Sequence, residues 1–178
     1  MDRNIKTVLL SEEEIHSRVA ELGKQITQRY VGEDIVCIGV LKGCFIFMAD
    51  LVRCIDLPAA IDFMVISSYG NGTSSGDITV KKDLSCSIEG KHVLIVEDIL
   101  DSGHTLTFLK QYLAARNPAS IEVAVLLNKP SRRQYPVTAE YIGFEIENEF
   151  VVGYGLDYAE LYRNLPYIGI LAPEAYAS

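Results

Sequence analysis

Apolar residues in this chain fall in short uninterrupted runs separated by polar, glycine-bearing turns. Three stretches have the length and β-branched content of strands buried on both faces: Asp34 to Leu41, Val93-Leu94-Ile95-Val96, and Ile121 to Lys129, the last with Glu122 near its start. Ile61 to Tyr69 reads as another strand, and Thr79 to Leu84 as its returning partner. Between them the spacing turns helical. Ser11-Glu12-Glu13-Glu14 has the form of a capping box ahead of Ile15, Val19, Leu22 and Ile26. Phe45 to Val52 reads as a second helix, and Leu106, Leu109, Leu113 and Ala114 mark a third that ends near Asn117-Pro118. Strands alternating with helices predict right-handed βαβ units in an α/β fold, a doubly wound, mostly parallel sheet flanked by helices. The last third differs. Tyr141 to Glu145, Phe150 to Tyr158 and Tyr167 to Leu171 are short, aromatic and punctuated by glycine, the pattern of a cap rather than another βαβ unit.

The turns carry the candidate chemistry, because ligands of open α/β sheets bind beyond the carboxyl ends of the strands. After Val93 to Val96 come Glu97 and Asp98, then Asp101-Ser102-Gly103-His104-Thr105 where a helix should begin. Small side chains and free N–H groups at a helix start favour a phosphate. The neighbouring carboxylates would repel a bare phosphate, so a cation or sugar hydroxyls belong between them, which suggests a phosphorylated sugar. Lys42-Gly43 follows the first buried stretch and Lys129 ends the last, each either a solvated turn lysine or a contact to the same ligand. Ser68 and Tyr69 lead into Gly70 to Asp77, a glycine- and serine-rich stretch that reads as a surface hairpin or a lid. Phe150 either packs in the core or offers a flat face to a planar ligand, and Arg163 is a surface residue or an anion clamp.

Composition narrows the class. At 178 residues and 49% hydrophobic, the chain suits one domain, residues 1–178, with a substantial core. A net charge of −8 argues against a general nucleic-acid or membrane-surface binder. No run approaches the roughly 18 apolar residues of a membrane span, and the expected location is cytoplasmic. The four cysteines form no CxxC pair, lie in or beside apolar segments and read as buried free thiols.

Val93 to Thr105 resembles the phosphoribosyl-pyrophosphate motif of type I phosphoribosyltransferases, an apolar strand leading into two acidic residues and a D-[ST]-G-x-T loop. Its company is more specific: Leu41-Lys42-Gly43, Ser68-Tyr69 before a glycine-rich loop, Lys129, Phe150-Val151-Val152-Gly153-Tyr154, Leu156-Asp157-Tyr158 and Arg163, in this order. Together they look like the hypoxanthine-guanine phosphoribosyltransferases in their compact bacterial form. The resemblance implies a hood built from the N-terminal segment and roughly residues 129–178, and a mobile loop at about 68–80. It implies transfer of 5-phosphoribosyl from phosphoribosyl pyrophosphate to hypoxanthine or guanine with Mg2+, giving IMP or GMP and pyrophosphate, in a homodimer or homotetramer.

The residue roles it implies are as follows. Glu97 and Asp98 lie along the ribose hydroxyls and support a metal, with Asp157 helping at a second one. Ser102, Gly103, His104 and Thr105 bind the 5-phosphate, and Lys42, Gly43 and Arg163 the pyrophosphate. Lys129 donates to the purine's six-oxo group, Phe150 stacks on the ring, Val151 contacts its edge through the backbone, and Asp157 stands at the same subsite. Asp101 is the candidate general base, and Ser68 and Tyr69 close the lid. A cis Leu41-Lys42 peptide is expected. Cys44 and His104 depart from the residues common in relatives; a buried inert thiol and a solvent-pointing histidine are the expectations. Two other readings remain: a transferase preferring xanthine, and a non-catalytic regulator that binds RNA or a nucleotide.

Overall fold

The capping box forms as its spacing requires: the Ser11 hydroxyl accepts from the Glu14 N–H, and Glu14 accepts from the Ser11 N–H. It starts helix α1, Glu12–Arg29, whose Ile15, Val19, Leu22 and Ile26 are fully or almost fully buried. The computed structural model describes residues 4–68 and 78–175. Strands β1 (Ile5–Leu10), β2 (Ile35–Leu41), β3 (Ala59–Ser68), β4 (Ile78–Lys82), β5 (His92–Leu100), β6 (Ser120–Asn128), β7 (Tyr141–Glu145), β8 (Val151–Val152) and β9 (Ile168–Leu171) alternate with α1, α2 (Phe45–Arg53) and α3 (His104–Ala114). Tyr69 and residues 70–77 of the candidate lid lie outside the described residues.

The main sheet has the order β4-β3-β2-β5-β6-β7, with only β4 antiparallel to its neighbour. Its two faces are separate cores. Val93 and Ile95 of β5 join Leu106, Leu109 and Leu113 of α3, whereas Leu94 and Val96 join residues of α1 and α2. Period-two alternation with both faces covered explains why the strand sequences read as continuous apolar runs.

Three expectations change. β5 does not stop at Val96. It continues through Glu97 and Asp98 to Leu100, because Glu97, Ile99 and Leu100 pair with Val125, Leu127 and Asn128 of β6. Tyr141 to Glu145 is no part of a cap: it is β7, parallel to β6 in the main sheet. The crossover leading to it has no α-helix, and buried Val137 fills the place against the α3-side core. Third, the His104 side chain does not point freely to solvent; its ring stacks on Tyr135 with centroids 4.9 Å apart. The remaining cap pieces form a separate three-stranded sheet, β1-β9-β8, to which the N-terminal strand is joined antiparallel.

Candidate active site

Topology fixes where a ligand belongs. From β2 the chain crosses by α2 to β3 on one side, and from β5 it crosses by α3 to β6 on the other. The switch point lies between β2 and β5, where an open sheet leaves a crevice beyond its carboxyl ends. Gly43 from the first strand end and Asp98 from the second meet there: a Cβ on Gly43 would stand 1.8 Å from Asp98 Oδ2. Asp98 follows Val96 on the same strand face, so it reaches toward the β2–α2 turn. The Leu41-Lys42 peptide is cis, as expected.

The phosphate loop is built on Gly103, whose φ of +86° places it in the left-handed region that glycine tolerates. It caps α3, and with Glu97 to Ser102, Thr105 and Leu106 it lines a cavity of about 230 Å³. Residues 132–137 brace this loop from behind. Gln134 and Tyr135 N–H both donate to the Ser102 carbonyl, at 2.9 and 3.1 Å. Arg133 donates to the Asn128 side chain at 2.5 Å, to the Val137 carbonyl at 2.9 Å and to the Leu100 carbonyl at 3.4 Å. A Cβ on Gly103 would press on Val137 Cγ1 at 2.7 Å.

Asp101 and Lys129 follow paired residues, Leu100 and Asn128, and are brought together by that register. The Lys129 N–H donates to the Leu100 carbonyl at 3.0 Å. Its ammonium donates to the Glu149 carbonyl at 2.6 Å, and burial lowers its pKa. Asp101 accepts from Arg132 Nε at 3.2 Å. Phe150, 39% exposed, precedes β8 and meets Tyr158 edge to face; Val151 is buried in β8 itself.

The side that carries Lys42 and Arg163 is assembled across the sequence. Gly155, with φ +102°, lies so close to the Gly43 carbonyl that a Cβ would meet its oxygen at 2.2 Å. Arg163 donates to the Gly155 carbonyl at 2.7 Å and pairs with Asp157 at 2.9 Å, while its Nε is buried without an acceptor. Tyr154 anchors this turn on α2 by donating to Asp50 at 2.5 Å. Lys42 meets Glu160 at 2.5 Å.

Burial first, then the charge of Asp98, pushes the Glu97 carboxyl well above its ordinary range, and burial pushes Asp98 up to about 6. Carboxylates so disfavoured as anions suit a cation, and an all-oxygen pair open to a cavity suits a hard one completed by ligand oxygens and water. Among the described residues no cluster of three or more metal-ligating side chains forms a cage. Cys44 is buried and its thiol pKa is raised, first by burial, as an inert thiol requires; all four cysteines are free, but Cys54 is only half-buried and Cys86 is exposed, contrary to the expectation of burial for all.

Sequence reasoning missed Glu160, Arg132 and Arg133, and it gave no role to Tyr154, which it quoted only as part of a motif. For Glu160 a signal existed, since it lies midway between Asp157 and Arg163 at three-residue spacing. The arginines sit in a polar stretch that carries no pattern.

The phosphoribosyl transferase domain model matches residues 9–159. The hypoxanthine-guanine phosphoribosyltransferase of Staphylococcus aureus (strain Mu50) is 52% identical over 179 residues, covering 100% of both chains. The bifunctional protein TilS/HprT of Listeria innocua is 52% identical over 99% of this chain, which spans 28% of that protein's length. A crystal structure of a Staphylococcus aureus hypoxanthine phosphoribosyltransferase superposes with a TM-score of 0.96 at 52% identity, over 98% of this chain and 96% of that one. A glycine-capped loop at the switch point, an acidic pair and a match over nearly the whole length make this chain a member of the phosphoribosyl transferase domain family, within its hypoxanthine-guanine branch.

Proposed function

We propose that this chain is a purine-salvage transferase that moves 5-phosphoribosyl from phosphoribosyl pyrophosphate to hypoxanthine or guanine, giving IMP or GMP and pyrophosphate. The observation that carries the reading is the meeting, at one switch point, of the phosphate loop, the acidic pair and the Asp101–Lys129 register. The chain is read as a single domain, residues 1–178, with its hood centred on β1, β8 and β9.

The reaction breaks the bond from the ribose anomeric carbon to pyrophosphate, which leaves with the electron pair, and forms a bond from that carbon to a purine nitrogen. The 5-phosphate would rest on the start of α3, held by N–H groups and by the Ser102 and Thr105 hydroxyls. Lys42, Gly43 and Arg163 would receive the pyrophosphate, whose negative charge grows as the bond opens. Arg163 Nε, buried without an acceptor, supports an anion here. Glu97, Asp98 and Asp157 would hold Mg2+ together with substrate oxygens, and the ion supplies charge neutralisation when bound. Phe150 would cover the purine face and Val151 its edge. Asp101 would take the proton that the purine loses.

The Lys129 ammonium is a donor without acceptor capacity, so it would favour a six-oxo group over the amino group of adenine. Lys129→Ala should therefore weaken 6-oxopurine binding by about tenfold or more, the cost of a lost charged hydrogen bond. Competition among hypoxanthine, guanine, xanthine and adenine checks this; an equal loss for all four would make Lys129 structural. The overall reading fails if the purified chain with Mg2+ forms no nucleotide from phosphoribosyl pyrophosphate and any of these purines.

Among the described residues no helix is long and apolar enough to cross a membrane. A cytoplasmic setting is proposed with the function, since a multiply charged sugar phosphate does not cross a bilayer unaided. Ser68 and Tyr69 keep their proposed role as lid contacts. A homodimer or homotetramer is proposed as well, supported by the likeness to a Trypanosoma cruzi hypoxanthine phosphoribosyl transferase whose C-terminal region bears on its oligomeric state. Elution of the chain at its monomer mass of 19.7 kDa from a sizing column would refute it.

A further inference from the structure

Glu160 has no part in the roles above, yet its carboxylate sits on both cations given to the leaving group. Lys42 Nζ meets Oε2 at 2.5 Å, and Arg163 Nη2 stands 3.6 Å from Oε1. The Glu160 N–H donates to Asp157 Oδ2 at 3.0 Å, and a short bridge between Tyr158 and Leu161 closes the turn. Ala159, Glu160 and Tyr162 have φ of +51°, +66° and +76°, a left-handed region that non-glycine residues occupy when surrounding contacts hold them there. The turn thereby carries Glu160 across to a lysine 118 residues away in sequence.

An ordinary exposed ion pair contributes little and matches one charge with one. Lys42 and Glu160 are themselves 65% exposed, but Glu160 stands within ion-pair distance of two cations from separate elements, one of which already has a carboxylate partner in Asp157. Two negative oxygens facing a lysine and an arginine also reproduce, in miniature, what a pyrophosphoryl group would offer them.

We propose that Glu160 is a placeholder for the pyrophosphoryl group: its carboxylate holds Lys42 and Arg163 together before that group enters and yields both cations when it binds. The inference rests on the pyrophosphate role given to those cations under the proposed function. Glu160 is a positioning residue, and it exchanges affinity for release. The pyrophosphate binds less tightly than two unengaged cations would allow, and the returning carboxylate helps it leave.

Glu160→Gln removes the competing charge and keeps the size of the side chain. Calorimetric titration with inorganic pyrophosphate and Mg2+ should give binding about threefold to tenfold tighter than in the unaltered protein, with IMP binding unchanged. The KM for phosphoribosyl pyrophosphate should fall, and inhibition by product pyrophosphate should strengthen. Glu160→Asp, which retains the charge on a shorter stem, should lie between the two. Pyrophosphate affinity that is unchanged or weaker in Glu160→Gln, in a chain that still makes nucleotide, overturns the placeholder alone. An unaltered chain that makes no nucleotide and binds no pyrophosphate overturns both this inference and the proposed function.

Discussion

Asp101→Asn is expected to lower kcat by about 10²- to 10⁴-fold, the usual worth of a general base, while purine binding changes only a few-fold. The substitution is nearly isosteric, and the amide oxygen can still accept from Arg132 Nε, which is 3.2 Å from Asp101 Oδ1. The position of residue 101 at the end of β5 is set by main-chain pairing and by the Lys129 N–H bond to the Leu100 carbonyl, neither of which depends on its side chain. The loss therefore reports proton transfer. Steady-state kinetics with hypoxanthine as the varied substrate checks it. A kcat reduced less than about fivefold would return Asp101 to the role of a charge near a helix start.

Asp98→Asn should have two opposed effects. Burial raises the Asp98 pKa to about 6, above the ordinary carboxylate value near 4, so folding favours the protonated form. The sign follows directly: the ionised side chain costs the native state nothing below about pH 4, the cost grows between about pH 4 and 6, and it is fully present above. The asparagine variant without ligands should thus be more stable at pH 7.5 by about 1–2 kcal/mol, a Tm gain of roughly 2–8 °C that fades toward pH 4. Asparagine can still accept the Ile99 N–H that Asp98 accepts at 2.8 Å. Use of Mg2+ and phosphoribosyl pyrophosphate should fall by about 10²-fold, because a neutral amide is a poor partner for a hard cation. Thermal melts with and without Mg2+ and substrate would show the unaltered protein gaining from the ligands and the variant gaining little. A variant less stable than the parent at pH 7.5 would mean that Asp98 is held by contacts that require its charge. Such a stability–function conflict is what a half-buried binding carboxylate placed ahead of its cation should produce.

The sequence was legible where physics acts locally. Ser11 and Glu14 satisfy each other within one helical turn, so their spacing alone predicts the cap. The buried strands read correctly because residues covered on both faces must be apolar throughout, as Val93 to Val96 are. The main departures lay where partners come from afar. Glu97 and Asp98 look like a strand's end in one dimension; β6 supplies the pairing that continues the strand through them. β7 looks like cap because it is short, aromatic and glycine-bearing, and only its parallel pairing with β6 and the packing of Val137 and Tyr141 show that the sheet accepts it.

For the candidate site the division is similar. Periodicity and turn chemistry alone determined an α/β chain with an acidic edge and a phosphate-sized loop at a helix start. Resemblance then associated Lys42, Lys129, Phe150, Asp157 and Arg163 with it. Only the tertiary structure decided that Gly43 lies against Asp98, that Gly155 lies against Gly43, and that Glu160 spans Lys42 and Arg163. Hydrophobic periodicity is set by each residue's own burial and can be read from neighbours in the chain. A contact between a lysine and a glutamate 118 residues apart is set by the register of a whole sheet and the path of a turn, and it leaves no local pattern.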